Sequence, residues 1–355
     1  MVIKTSDNKI QQEIVAEIGT MFCASDLKVV DFGPLEINCF SICFWVDLDG
    51  PDGEYFIYVK VPKIIFYDQT KEDLGEISED DRVLAVNEVN SLDYLRDFWD
   101  VSFGVRFVEN LGYIKKYNAI VTKRIKADFL FKKLRSHDQF GRSRGDGVDL
   151  IKNSLFNFGA SLRSFHSINS AATKFSADDY GLKFEKYLDV LEQYGVRSSS
   201  LTSVKKYLAE YKGYSCGSYS VNNFKGIDIR QIFIESGELH IIDPGKILTG
   251  FAEVDIARFV VTCRILYWGT PSIIRRACPS VRYEKAFLDG YYGSGDCPKI
   301  MIKLLIVKEI LKHWKMAHIS LSKRNWNAYV KYFLKKIYID SFYYKLITDE
   351  LSRLH

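Results

Sequence analysis

Gln231-Ile232-Phe233-Ile234-Glu235-Ser236-Gly237-Glu238-Leu239-His240-Ile241-Ile242-Asp243-Pro244-Gly245 is the stretch whose reading decides the fold. Two short apolar runs, Ile232–Ile234 and Leu239–Ile242, flank a polar turn at Glu235–Glu238, which is the pattern of a β-hairpin. The polar Gln231 opens the first strand and Asp243 closes the second. A carboxylate placed after an apolar strand and before Pro-Gly sits at a sharp turn, where it can point into a cleft and hold Mg²⁺. An ordinary Asp-Pro-Gly turn is the competing reading.

A second charged residue stands inside an apolar strand, Tyr55-Phe56-Ile57-Tyr58-Val59-Lys60-Val61-Pro62-Lys63. Burying Lys60 is costly unless an opposite charge lies near. Glu88 is the expected partner, on a helix whose Leu84, Leu92 and Leu95 mark a buried face. Such a pair holds an ammonium where it can meet nucleotide phosphates. The competing reading puts Lys60 on the solvent side of an alternating strand and Glu88 on an ordinary helix surface.

The first third of the chain reads as strands broken by one helix. Leu27–Gly33, Leu35–Leu48 and Glu54–Val61 are strands, with a turn at Asp49–Gly53. The acidic run Glu72–Asp81 is expected as a solvated loop leading into a helix from about Asp80 to Trp99, with negative charge suiting the helix N-terminus. Strands near Val105–Glu109 and Tyr113–Ile125 follow, turning at Asn110-Leu111-Gly112. Beyond Lys126 apolar residues recur at helical spacing, as in Leu150–His166 and Ala177–Tyr194. The expected class is therefore α+β in two lobes: residues 1–122 as a β-rich N-lobe, 123–126 as a hinge, and 127–355 as a helical C-lobe that includes the hairpin.

With these motifs in order, the chain resembles the aminoglycoside phosphotransferase and lipopolysaccharide kinase branch of the protein-kinase-like fold. Tyr58-Val59-Lys60-Val61-Pro62 resembles the family's lysine strand, and Asn87-Glu88-Val89-Asn90-Ser91-Leu92 its glutamate helix. Ala119–Ile125, which includes Val121 and Lys123, resembles the strand entering the hinge, where backbone groups meet adenine. Phe158–His166, Val254-Asp255-Ile256-Ala257-Arg258-Phe259 and Phe287-Leu288-Asp289-Gly290-Tyr291 resemble later family elements. The resemblance implies ATP and Mg²⁺ as cofactors. It assigns Lys60 and Glu88 to the phosphates, Val121 and Lys123 to the nucleotide, and Gln231 and Asp243 to the metal.

The catalytic loop departs from the family's His-Gly-Asp pattern. Gln231 takes the place of the metal-binding Asn, and the residue five earlier is Gly226, which cannot accept a proton. Asp228 is the carboxylate within reach, nominated as base or hydroxyl-orienting group, against a reading in which it caps local backbone amides. Asp255 is expected to brace this loop, with His166 and Arg258 as further bracing residues.

Asp243 and Asp255 are twelve residues apart, with no Ala-Pro-Glu segment to hold a peptide, so a small saccharide or glycolipid acceptor is expected over a protein. The net charge is +4, yet Met301–Lys345 holds ten Lys/Arg against Glu309 and Asp340. Lys308, Lys312 and Lys315 form a helical stripe beside Leu304, Val307, Leu311 and Trp314. That stripe suits an anionic membrane surface or an acidic glycolipid, or a solvated helix edge. No nucleic-acid module accompanies it. Seven cysteines without a Cys-x-x-Cys pair, and an N-terminus without a signal-peptide core, fit a reducing cytoplasm.

These features lead to an ATP-dependent phosphotransferase acting on a sugar hydroxyl, in a cell-surface glycan or lipopolysaccharide precursor, at or near the inner membrane face. A pseudokinase that binds nucleotide or glycan without turnover is the alternative, and a protein kinase the third reading.

Overall fold

In the computed structural model the described residues are 9–23, 27–38, 40–63, 77–138, 146–224, 227–265, 280–295 and 297–352. Cys39, Cys278, Gly226 and most of the acidic run from Glu72 lie outside them. In chain order the elements of the first half are α1 (Lys9–Met21), β1 (Lys28–Phe32), β2 (Glu36–Ile37), β3 (Ser41–Gly50), β4 (Gly53–Pro62), α2 (Glu79–Phe98), β5 (Val105–Phe107), β6 (Asn110–Ile114), β7 (Ala119–Lys123), β8 (Asp128–Phe129), α3 (Leu130–Asp138) and α4 (Asp146–Ser167). The second half holds β9 (Ala171–Ser176), α5 (Gly181–Gln193), α6 (Ser198–Glu210), β10 (Ser215–Asn223), β11 (Ile232–Glu235), β12 (Glu238–Ile241), β13 (Leu248–Phe251), α7 (Ala252–Ile265), α8 (Ser280–Tyr292), α9 (Lys299–Ser322), α10 (Ala328–Phe333) and α11 (Ser341–Ser352), with a π-helical turn Leu334–Asp340 before the last.

Two units divide the chain. The first comprises Met1–Val101, Val105–Asp128 and Phe233–Ile247; the second comprises Ser102–Gly104, Phe129–Ile232 and Leu248–His355. The expected C-lobe range of 127–355 thus contains a hairpin that packs with the N-terminal unit.

In the first unit an antiparallel sheet runs β1-β3-β4-β7-β6. Strand alternation gives its two faces different work. Phe44, Val46, Ile57, Val59 and Val121 point to one side, where Ile14 and Ile18 of α1 cover them. Ile120 faces the other way, in a cluster with Ala85 and Leu92 of α2. The N-terminal third therefore carries two helices rather than one. The β6–β7 turn lies at Lys115–Asn118, not at Asn110–Gly112, where β6 instead shifts register by a bulge.

Ser78 and Asp81 start α2 as a capping box, each side chain accepting the other's backbone N–H. Asn118 takes the left-handed conformation, φ 54°, and is fully buried. Its amide donates to Pro62 O (2.9 Å) and Asp81 O (3.0 Å), tying the end of β4 to the start of α2. The β11–β12 turn has Ser236 at φ 50° and Gly237 at φ 91°, as a tight two-residue hairpin loop requires. β12 pairs in parallel with β5, Leu239 opposite Val105.

In the second unit α4 and α8 meet at Gly159 and Gly290. A Cβ on Gly159 would collide with Phe287 O and Tyr291 N, and one on Gly290 with the backbone of Phe156. Two of the family-like segments therefore mark one helix crossing. Because backbone cannot yield as a side chain does, Gly290→Ala is expected to lower stability by about 3 kcal/mol or more. Urea unfolding checks this, and a change under 1 kcal/mol would mean the helices can part.

Around this pair lie a small sheet, β13-β10-β9, and the helix α9. α9 is buried on most of its circumference, Lys303, Lys308 and Glu309 included. The expected stripe of Lys308, Lys312 and Lys315 is consequently not one continuous solvated edge: Lys308 is buried, and Lys312 and Lys315 are half-buried. Lys308 and Lys312 bind Glu309 at 3.1 and 3.3 Å, and Lys315 lies 4.7 Å from the centre of the Tyr187 ring. The buried Glu309 makes burial of Lys308 tolerable, and helical spacing alone does not reveal it. Among the described residues no helix is long and apolar enough to cross a membrane.

Candidate active site

Within the first unit three elements converge on one ammonium. Lys60 projects from β4, Glu88 comes from α2, and Asp243 follows β12. Lys60 Nζ donates to Glu88 Oε2 at 2.7 Å and Oε1 at 2.9 Å, and lies 2.8 Å from Asp243 Oδ1. Burial alone would lower the Lys60 ammonium, but Glu88 and Asp243 outweigh it and the group is raised. Burial, opposed by Lys60 and reinforced by the charge of Asp243, pushes the Glu88 carboxyl up to about 7.

Asp243 has φ 56°, a left-handed conformation that costs any residue with a Cβ and persists where its surroundings enforce it. One such constraint is Ser91 on α2. Its hydroxyl donates to Asn87 O and accepts the Ile247 N–H at 3.1 Å, so the glutamate helix also holds the segment after Asp243.

A cavity of about 170 Å³ opens here, lined by alternate residues of β3, β4 and β7: Ser41 and Cys43, Tyr58 and Lys60, Ile120 and Thr122. Val121 therefore points away, into the core beneath α1. Ile120, Thr122, Tyr58 and Cys43 were not anticipated, although the alternation in these strands carried the signal. Burial and then the Cys43 thiol raise the Tyr58 hydroxyl, which keeps it protonated. Lys123 is exposed and 3.7 Å from Glu109, on the rim of a separate pocket. Gly33, just after β1, leaves room for the Trp45 ring.

Asp228 and Gln231 belong to the second unit. Asp228 is the N-cap of a single 3₁₀ turn, Ile229–Gln231, and Gln231 Oε1 accepts the Asp228 N–H at 3.2 Å in return. Both Asp228 oxygens are engaged: Oδ1 by Arg230 N (3.0 Å) and Nε (2.8 Å), Oδ2 by Arg230 Nη2 and, at 3.5 Å, by Arg258 Nη2. Burial would raise this carboxyl, yet Arg230 and Arg258 hold it below its ordinary value. A proton acceptor needs the opposite bias, so these contacts match the capping reading and weigh against Asp228 as base. Gly226, the other half of that expectation, lies outside the described residues.

Asp255, fully buried, accepts the Phe224 N–H at 2.8 Å and lies 3.3 Å from His166 Nε2, whose Nδ1 meets Tyr291 Oη at 2.9 Å. That chain holds the entry to the loop. Arg258 joins Asp228 to Glu309 on α9, 3.3 Å away. Against burial, Lys308, Lys312 and Arg258 bring Glu309 down to about 2.

His313, one turn along α9, has an inaccessible Nε2 without a hydrogen-bond partner. Burial and then Arg258 push its imidazole down to about 4. Its folded value lies below the ordinary 6.5, so neutral His313 contributes stability that is complete above pH 6.5 and lost as the pH falls toward 4. The loss is on the order of 3 kcal/mol. Denaturant midpoints across this window should fall less steeply for His313→Leu than for the native chain, and equal slopes would contradict the assignment.

No protein-family model matches the sequence, and no curated protein matches it. Solved structures do match. Glucosamine kinase (crystal form A) aligns over 98% of this chain and 98% of its own, with TM-score 0.53 and 10% identity. Choline kinase LicA from Streptococcus pneumoniae aligns over 97% and 100%, with TM-score 0.52 and 12% identity. The fold is that of the aminoglycoside phosphotransferase and choline kinase type. The GDP complex of an aminoglycoside 2'-phosphotransferase-IIIa mutant extends the set, over 96% and 97% with TM-score 0.52 and 9% identity. The expected two-lobed α+β kinase-like architecture is thus met over nearly the whole chain. At these identities the likeness establishes the fold, and the functional reading rests on the residues.

Proposed function

We propose that the chain is an ATP-dependent kinase that phosphorylates a hydroxyl of a small saccharide, of the kind that supplies cell-surface glycan or lipopolysaccharide precursors. The observation that carries this reading is the buried Lys60 ammonium held between Glu88 and Asp243 on the wall of one cavity. Lys60, positioned by Glu88, meets the nucleotide phosphates. The donor chemistry also fits Mg²⁺. Asp243 offers a hard carboxylate that is 38% exposed, and no group of three metal-ligating side chains occurs among the described residues. Mg²⁺ is commonly held by one or two carboxylates together with substrate phosphates. When bound it supplies neutralisation of the phosphate charge. Gln231 Oε1 is engaged in its capping box, which leaves Asp243 as the ligand this proposal rests on. Membrane attachment through the α9 lysines is not part of the proposal.

The occupied oxygens of Asp228 favour a second reading, a nucleotide-binding protein without turnover. Phosphoryl transfer has a loose transition state and depends mainly on positioning and charge, so a weak base slows the kinase rather than excluding it. Incubating the protein with labelled ATP, Mg²⁺ and a panel of dephosphorylated glycan acceptors decides between them. Transfer to at least one acceptor is expected, with Asp228→Asn losing less than about tenfold. ATP binding without any transfer would establish the second reading. Complete loss in a folded Asp228→Asn variant would restore Asp228 as base.

A further inference from the structure

We infer that Arg230, Arg258 and Lys312 form an anion-binding subsite beside the Gln231 turn, so that the saccharide bound by this unit carries a phosphate or carboxylate. That this saccharide is a phosphoryl acceptor rests on the kinase reading; the anion preference does not.

Four cations share two carboxylates in this part of the second unit. Asp228 takes Arg230 and Arg258, while Glu309 takes Arg258 Nη1 at 3.3 Å, Lys308 at 3.1 Å and Lys312 at 3.3 Å. Over these six side chains two positive charges are left over. Like charges held together repel, and an arriving anion relieves that repulsion. The layering agrees. The Asp228 and Glu309 side chains are 6% and 4% exposed, whereas Arg258 is 17%, Lys312 33% and Arg230 56% exposed. Solvent therefore meets Arg230, Lys312 and, less, Arg258, while Lys308 is buried with the carboxylates beneath them.

The Arg258 Nε is buried and has no hydrogen-bond partner, so that guanidinium is incompletely satisfied by the protein. Guanidinium groups match phosphate and carboxylate through paired N–H donors. His313, depressed to about 4, adds no further positive charge near neutral pH. The subsite adjoins the expected catalytic loop directly, because Gln231 caps the Asp228 N–H at 3.2 Å. Choline, glucosamine and aminoglycosides are cations at neutral pH and would be repelled here. The same fold thus presents, in this chain, a surface of the wrong sign for an amine.

The test is equilibrium binding to the whole protein without ATP, by calorimetry at fixed ionic strength, using glucose 6-phosphate, glucuronate, glucose and glucosamine. The expected result is that at least one of the two anionic sugars binds roughly tenfold or more tightly than glucose, with glucosamine weakest. Arg230→Gln and Lys312→Gln should each remove roughly tenfold of that preference, while Lys345→Gln, an exposed lysine elsewhere on the unit, should not change it. Inorganic sulfate should compete. Which of the two anions binds tighter separates a phosphate-bearing from a carboxylate-bearing ligand. Glucosamine binding as tightly as the anions, no anion binding above glucose, or unchanged anion affinity in both variants would overturn the inference. A parallel ADP titration separates it from the kinase reading. Anion preference without ADP binding sinks the kinase and leaves the subsite. ADP binding with glucose 6-phosphate and glucuronate binding no tighter than glucose sinks the subsite alone.

Discussion

Lys60→Met and Asp243→Asn are each expected to lower phosphoryl transfer by roughly 10²–10³-fold, the loss typical of removing one preorganised charge from a transition-state site. Both variants should keep the native melting profile. Lys60→Met preserves the side-chain length in β4, and without the ammonium Glu88, already raised to about 7, protonates instead of remaining an unpaired buried charge. Asp243→Asn preserves shape and leaves Lys60 paired with Glu88 at 2.7 Å. The two differ in their binding behaviour. Losing Lys60 weakens ADP binding as well as turnover, whereas losing the Asp243 charge acts mainly on turnover in the presence of Mg²⁺. Steady-state kinetics beside ADP titrations measure this, and a folded Asp243→Asn enzyme with native turnover would place the chemistry elsewhere.

The largest expected effect on stability lies far from these residues in sequence. Arg264 of α7 is buried, and its Nε and Nη2 each donate to Glu284 of α8 at 3.0 Å, while Nη1 donates to Glu350 of α11. Burial by itself lowers the guanidinium's basicity, but the two glutamates raise it overall. One side chain thus fastens three helices. Arg264→Met strands two buried carboxylates and is expected to cost about 3–5 kcal/mol, which shifts the melting temperature by roughly 10 °C. Replacing Glu284 and Glu350 by leucine in the same chain should recover most of the loss, because an apolar trio carries no desolvated charge. A single variant melting within about 2 °C of the native protein would show that water reaches the network.

The sequence made some of this legible, for identifiable reasons. Lys60 drew notice because a lysine in a Val/Ile/Tyr strand demands a partner, and a helix with a buried face offered Glu88. The hairpin was visible through its turn chemistry, since Ser236-Gly237 supplies the two positive φ angles. Asp228 was harder. A carboxylate two residues from an arginine reads alike whether it serves chemistry or caps a turn, and only its hydrogen bonds separate the two. The α9 lysines misled for a related reason. Glu309 pairs with Lys308 and Lys312, and helical periodicity distinguishes apolar from polar faces but not a freely solvated charge from one held by a carboxylate. Val121 turns its side chain into the core while its neighbours Ile120 and Thr122 line the cavity, so its expected part at the nucleotide rests on backbone groups, which side-chain alternation leaves untouched.

The placement of Phe233–Ile247 in the first unit has a consequence for how the protein is made. About a hundred residues of the second unit, Phe129–Ile232, leave the ribosome before this hairpin does. At about 5–20 residues per second, β5 waits for several seconds as an unpaired edge, because β12 is its strand partner. Over that interval the nascent chain holds Lys60 and Glu88 without Asp243. A message truncated between Phe129 and Phe233 would yield an N-terminal product with an open strand edge and an incomplete charge cluster, a species suited to capture by chaperones and unable to present the finished cavity wall.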